Sequence, residues 1–363
     1  MALQSSFTLT ANEIYDTLAN MIISQEVFAD NLGSHQTLVD KARVDGGLFG
    51  DTKLYYATDV LSSSAWGNDT EAKNLLDIDR AEQPEVQAIK LDIFRQIRLT
   101  TDNYMSKRAF ADEGTFSSFN SVMLGWLKET KRVYDGTLYN VFIGTHKATG
   151  AAQTVSVDLA EASALEGTEK AKMEAMLIAQ NMADLFVKMG DYSRDYNDYG
   201  NLRSYAKEGI KVIWNSKYVN KIRKVDLPTI FHKDGLVDKF EEEILPERYF
   251  GDVNASQVAT SSNTGQYRSV IEKVYSTNSG SVHVFPGDAI PSGVAIAAGE
   301  GYTAPAKDVI CKVLVKLPPM MSAFEVGTTF FNPRSLTENH YLTFGHNTLT
   351  HLKNYPFITV QVK

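Results

Sequence analysis

The sequence predicts an α+β chain, on three observations. Apolar residues recur at three-and-four spacing from Gly114 to Gly144 with few breaks, which is the pattern of one long amphipathic helix. Before that stretch, apolar residues alternate at period two in Leu54 to Val60 and again in Ile89 to Leu99. After it, Val309 to Leu317, Ala323 to Phe331, Tyr341 to Phe344 and Phe357 to Val362 read as four closing strands. The helix is therefore flanked in sequence by strands on both sides.

A chain of 363 residues can bury a substantial core and hold two or three domains. Hydrophobic content of 43% and charged content of 22% belong to a folded protein. The 36 Lys and Arg against 44 Asp and Glu leave a net charge of -8, which argues against a protein built to grip phosphates. Cys311 is alone, so no intrachain disulfide can form, and its strand-like surroundings mark it as a small buried apolar residue. Met1 to Thr10 lacks the basic and apolar regions of a secretory signal, and no run reaches the roughly 18 apolar residues of a membrane span. A reducing cytoplasm, or a particle assembled in one, is the expected compartment, with no membrane partner.

In chain order, residues 1–47 carry a short helical pattern (Ile14, Leu18, Met21, Ile22) and a polar run that ends at the Gly46-Gly47 pair. This reads as an arm. The two alternating runs that follow are joined by a charged stretch from Trp66 to Glu85, making an extended hairpin. A hairpin of that length is marginal alone and needs a surface to lie on. In the long helix Thr115 is placed to cap the start and Gly144 to end it. Its expected core face is Phe116, Phe119, Met123, Trp126, Leu127, Tyr134 and Leu138. Gly125 and Gly136 are expected where the helix bends or a strand packs close, since each costs roughly 1 kcal/mol relative to Ala. A strand is expected at Thr154 to Leu159, and a second amphipathic helix at Thr168 to Met189, ended by Gly190. Ile210 to Trp214 reads as a buried strand, with Asn215 as the N-cap of a following helical turn. Asp238 to Glu243 reads as a solvated helix face. Strands at Ser269 to Tyr275 and Val282 to Phe285 flank a turn at Thr277 to Gly280.

The motifs of catalysis are missing from the sequence. There is no GxxxxGK[ST] phosphate loop and no GxSxG elbow, and the glycines of Gly293 to Gly301 lack dinucleotide-binding spacing. His340, His346 and His351 are spaced six and five apart, which matches no common zinc pattern, and read as surface or edge-strand histidines. No catalytic, cofactor-binding or metal-ligating set is assigned. The basic run Lys217 to Lys224 is short and reads as a solvated face.

The order of arm, long hairpin, long helix, mixed insert and returning strands resembles the major capsid protein of tailed bacteriophages, the HK97-like fold. Two local runs carry the likeness. One is Trp214-Asn215-Ser216-Lys217-Tyr218, where the family often has an Asn or Asn-Pro turn followed by an aromatic, here without the Pro. The other is Val313-Leu314-Val315 followed by Asn332-Pro333-Arg334-Ser335-Leu336, Tyr341 and Asn347-Thr348-Leu349, similar to the closing strands in small short-tailed phages of the Bacillus phage group.

This resemblance implies an N-terminal arm (1–47), an extended loop (48–106), a peripheral domain built on the spine helix (107–159 and 319–363) and an axial domain (160–318). It implies a structural, non-enzymatic shell protein that forms hexamers and pentamers around double-stranded DNA in an icosahedral virion, assembled in the host cytoplasm. A separate scaffolding protein and a portal are the implied partners, and no cofactor is. Intersubunit contacts would come from the extended loop, through Trp66, Asp77, Asp79, Arg80, Lys90, Arg95 and Arg98. The alternatives are an encapsulin-like compartment shell of the same fold, or an α+β enzyme with its site in the loops Tyr192 to Tyr199 and Phe285 to Pro291.

Overall fold

The computed structural model describes residues 38–46, 52–63, 78, 80–102, 113–219, 241–254, 258–262, 264–297, 299–303 and 308–363. Its helices are α1 (Leu38–Ala42), α2 (Glu113–Thr145), α3 (Ala160–Ser163) and α4 (Gly167–Gly190). The strands up to the middle of the chain are β1 (Arg43–Asp45), β2 (Thr52–Ala57), β3 (Glu85–Asp102), β4 (Thr154–Val157), β5 (Lys211–Asn215), β6 (Glu241–Leu245), β7 (Asp252–Asn254) and β8 (Tyr267–Ser269). The remainder are β9 (Lys273–Thr277), β10 (Gly280–Val284), β11 (Gly301–Thr303), β12 (Val309–Leu314), β13 (Met320–Asn332), β14 (Thr337–Asn347) and β15 (Phe357–Val362). The chain divides into two compact units, one of residues 1–51, 91–136 and 321–348, the other of residues 52–90, 137–320 and 349–363.

The second unit holds the main core. Its sheet has the order β4-β15-β12-β5-β6, with β12 antiparallel to both neighbours and with parallel pairs at β15/β4 and β5/β6. Val309–Leu314 is buried at every position, as a run without alternation requires when both faces of a strand are covered. On one face Cys311 and Val313 stand beside Trp214, Val212, Val360 and Ile358. That face packs on α4, whose Ala175, Ile178, Ala179, Met182, Leu185, Phe186 and Met189 form one buried stripe. Burying each large member of that stripe contributes roughly 1.5–3 kcal/mol. On the other face Lys312, Thr359 and Phe357 meet the last turn of α2: Phe142 and Phe357 have ring centroids 6.2 Å apart, and Lys312 donates to the His146 carbonyl.

Around this sheet sit smaller pieces of the same unit. Strands β7-β11-β8 form an antiparallel sheet over a small core of Ala259, Tyr267, Ile290 and Ile296. Strands β9 and β10 make a hairpin, and β2 pairs antiparallel with residues 85–90 of β3. In the first unit the order is β1-β13-β14-β3, with β14 antiparallel to both β13 and residues 91–102 of β3.

Several expectations are corrected. Of the Asp238 to Glu243 stretch, the described part is strand and not helix: Glu241–Leu245 is β6, an edge strand held to β5 by its backbone, with Lys211 paired to Glu241 across the ladder. Its three Glu side chains suit an edge open to water, so the sequence carries no inward alternation there. The expected strand Ser269 to Tyr275 is two strands, because the Ser269 hydroxyl donates to the Ile271 carbonyl and turns the chain between them. Thr115 lies inside the first turn of α2, which begins at Glu113, and so is not its cap. Asn215 does cap the turn at 216–219, its Oδ1 accepting from the Lys217 N–H at 3.0 Å while its Nδ2 donates to the Val309 carbonyl. The arm pattern before Leu38 and most of the charged stretch from Trp66 to Asp79 lie outside the described residues.

The glycines of α2 sort by what surrounds them. A Cβ on Gly125 would meet nothing within 4 Å, so no described strand packs close there, whereas on Gly144 it would stand 2.0 Å from the Tyr249 carbonyl oxygen. Gly125→Ala should therefore raise stability by up to about 1 kcal/mol. Gly144→Ala should lower it by about 3 kcal/mol, because the obstruction is backbone. Urea denaturation of the two variants checks both signs.

Candidate functional site

The end of α2 enters a buried polar network in the second unit. His146 Nε2 lies 2.7 Å from His351 Nδ1, and His351 Nε2 lies 2.9 Å from Asp198 Oδ2. Gln153 donates to Asp198 Oδ1 at 2.6 Å and accepts from the Phe357 N–H at 3.1 Å. The His146 ring is stacked on Phe142 and meets Phe357 edge-on. Burial first, then the neighbouring His351 and Lys312, push the His146 pKa down to about 4. Burial works against the Asp198 carboxylate, yet hydrogen bonds from His351 and Gln153 outweigh it and its pKa is lowered.

Lys312 is fully enclosed and donates to the His146 carbonyl and to Thr359 Oγ1, both at 2.8 Å. Its pKa is pushed down to about 7, by burial first and then by Lys147. Burial also raises the Cys311 thiol, which points at Met182 Sδ, so it is an unreactive core group. His351 and His346 are buried, which overturns the reading of these histidines as surface groups. His340 does lie on strand β14, against Thr101.

In the first unit, Asp135 of α2 accepts from Lys131 at 3.0 Å and from Arg43 at 3.2 Å, with Lys131 and Asp135 both buried. Immediately before Asp135 in the helix, Tyr134 shares a hydrogen bond with His346 at 2.9 Å. Arg95 sits over the Tyr134 ring, 5.0 Å from its centroid. Arg95 belongs to the odd-numbered face of β3 with Ile93 and Ile97, so it is a packing residue of this unit and not a free decoration of the hairpin.

The other sequence-predicted contact residues fall as follows. Arg80, Lys90 and Arg98 are exposed, and Trp66, Asp77 and Asp79 lie outside the described residues. Of the expected helix core, Leu127 and Tyr134 are buried and Leu138 is half-buried. The side chains of Phe116, Phe119 and Met123 lie outside the described residues. Trp126 is 58% exposed, which corrects its assignment to the core: it follows the helical period of its neighbours, but its side chain stays largely open to water.

Apolar side chains are also left bare on strands. Leu54 and Tyr56 are 50% and 64% exposed, and Val86, directly across from Tyr56, is exposed with them. The alternation in this run is real, but its apolar parity faces out and the parity of Lys53, Tyr55 and Ala57 faces in. On β13 of the first unit, Phe330 and Phe331 are 60% and 49% exposed. Adjacent strand residues point to opposite faces, so both faces of β13 are open there. Bare apolar clusters of this kind mark contact surfaces.

Among the described residues no group of His, Cys, Asp or Glu is arranged to hold a metal ion, and no helix is long and apolar enough to cross a membrane. The Tyr192 to Tyr199 loop is tied into the His351 network through Asp198.

A mixed α/β fold with these open faces is the class the geometry defines, and solved structures share its fold. The chain matches a chain of the capsid structure of Staphylococcus phage Andhra with a TM-score of 0.60 at 9% identity, over 100% of this chain and 95% of that one. It matches a chain of the head fiber and inner core protein structure of native bacteriophage P68 with a TM-score of 0.58 at 8% identity, over 94% and 87%. At such identities the likeness is one of fold. No family model and no curated protein sequence matches the chain.

Two outcomes follow from the buried charges. Asp135→Asn, by leaving Lys131 without its carboxylate, should cost about 3–5 kcal/mol in urea denaturation, and the double change Lys131→Met, Asp135→Leu should recover most of it. For Lys312 the folded pKa is below the unfolded one, so its contribution is fully present above about pH 10.4 and is lost as pH falls toward 7. The stability of the native chain should thus rise more steeply between pH 7 and 9 than that of Lys312→Met, measured by thermal melts on both.

Proposed function

We propose that this chain is the major capsid protein of a tailed bacteriophage, a structural protein of the virion without catalytic activity. The observation that carries the reading is the fold likeness to capsid-structure chains along essentially the whole of both chains. The bare apolar residues of β2, β3 and β13 support it, because a chain that leaves Leu54, Tyr56, Phe330 and Phe331 in water has surface to give to neighbours. Obligate assemblies bury about 2,000–5,000 Å² per interface, largely apolar at the centre.

In this reading the fold is HK97-like. Residues 107–159 with 319–363 form the peripheral domain, 160–318 the axial domain, 48–106 the extended loop and 1–47 the arm. Subunits gather as hexamers and pentamers into an icosahedral shell around double-stranded DNA, with a separate scaffolding protein and a portal as partners, in the host cytoplasm. The net charge of -8 suits such a wall, which must not hold phosphate so strongly that filling or release is hindered. The exposed Arg80, Lys90 and Arg98 lie on the stretch assigned to intersubunit contact, and Lys90 shares the exposed even-numbered face of β3 with Val86.

The test is the pair of changes Leu54→Asp and Tyr56→Asp. Both side chains are open to water, so far-UV circular dichroism should be unchanged, while sedimentation should show large particles for the native chain and only dispersed subunits for the double variant. Particles formed equally well by the variant would contradict the role given to this face.

A further inference from the structure

Two strands of the second unit are hung on the buried histidine network. Gln87 of β3 donates from Nε2 to the His351 carbonyl at 2.8 Å and accepts at Oε1 from the Lys353 N–H at 2.9 Å. Just past the end of β2, Asp59 accepts from the Leu202 N–H and from Arg194, and Arg203 donates to the Thr58 carbonyl. One strand is thus fastened to residues 351–353 and the other to residues 194–203. Those two segments are joined by the bond from His351 to Asp198, and by the Asp198 N–H donating to the Lys353 carbonyl at 2.8 Å.

The two rings accommodate one extra proton and not two. His351 Nε2–H faces the Asp198 carboxylate, which leaves Nδ1 to face His146 Nε2 across 2.7 Å. With both rings neutral, or with one of them charged, one N–H lies between these nitrogens and makes a hydrogen bond. With both charged, two N–H groups point at each other in a space lined by Phe142 and Phe357, and the rings must part. Among the described residues, the other charged groups around the pair are Lys312 from β12, Lys147 after α2 with its partner Asp252, and Asp198 from the loop. Among the described residues Asp198 alone touches the rings as a carboxylate, and it can offset one positive charge and not a second.

We propose that the His146–His351 pair is a proton-operated latch for the β2–β3 pair: double protonation separates the rings, displaces residues 351–353 and frees Gln87 and with it the strands. The sign is fixed by His146, which is held down to about 4 in the folded chain. The stabilising effect of its neutral form is complete above the unfolded value of about 6.5 and is lost as pH falls toward 4. The latch is a property of this unit and holds whether or not the chain assembles.

Hydrogen exchange of the purified full-length chain tests it, with rates at about pH 7.5, 5.5 and 4.2 corrected for the intrinsic pH dependence of exchange. In the native chain, protection of Thr52–Ala57 and of residues 85–90 should drop about tenfold between pH 5.5 and 4.2, while α4 keeps its protection. His146→Gln, whose amide can still donate to His351 but takes up no proton, should hold its protection across that range. Gln87→Met cuts the latch without touching the pair, and should show low protection of both segments at every pH. Undiminished protection in the native chain at pH 4.2, or an equal loss in His146→Gln, overturns the proposal. Should His146→Gln not fold, a pH-dependent loss in Gln87→Met as large as in the native chain overturns it instead, and a flat low profile supports it.

Discussion

The burial of strand β12 on both faces is the constraint from which the rest of the second unit follows. Residues Val309–Leu314 are enclosed at every position, so each side of the strand must find a cover, and the two covers are α4 and the last turn of α2. The α4 side is wholly apolar. The α2 side has to take in Lys312, and a lysine so enclosed is tolerated only where acceptors meet it, here the His146 carbonyl and Thr359. The polar network at the end of α2 is thus tied to a core strand. Glycine at position 144 lets that end approach the backbone of Tyr249 closely.

The same sheet shows how the unit closes itself at its centre and not at its periphery. Its middle strands are dry, its edge strand β6 carries Glu241, Glu242 and Glu243, and the β2–β3 pair presents Leu54, Tyr56 and Val86 to water. Acidic side chains protect an edge from unwanted pairing. Bare leucine and tyrosine do the reverse, and their natural complement is the surface of another chain. In the first unit Phe330 and Phe331 stand in the same condition on opposite faces of one strand.

Much of this was legible in the sequence. The three-and-four spacing found α2 and α4 to within a residue or two, and the unbroken run from Val309 identified the buried central strand with Cys311 as an inert member. Three things were not legible, each for a physical reason. Strand β6 is held by backbone bonds at an edge, where side-chain pattern carries little information, and a run of Glu reads more readily as a helix face. His146 and His351 are 205 residues apart, so no local spacing announces their contact. Trp126 obeys the helical period of its neighbours, but periodicity says only which residues share a face and not whether the chain itself covers that face. The outward parity of Leu54 and Tyr56 is the same case: alternation fixes the strand, and only packing decides which side is dry.

These bare faces, and the fold shared with chains of phage capsid structures, support the proposal that the chain is completed by copies of itself. The most direct measurement is electron microscopy of the purified chain, expressed with and without a candidate scaffolding protein. The account predicts closed icosahedral particles, or sheets and tubes of the same subunits. A chain that stays monomeric under both conditions would contradict it.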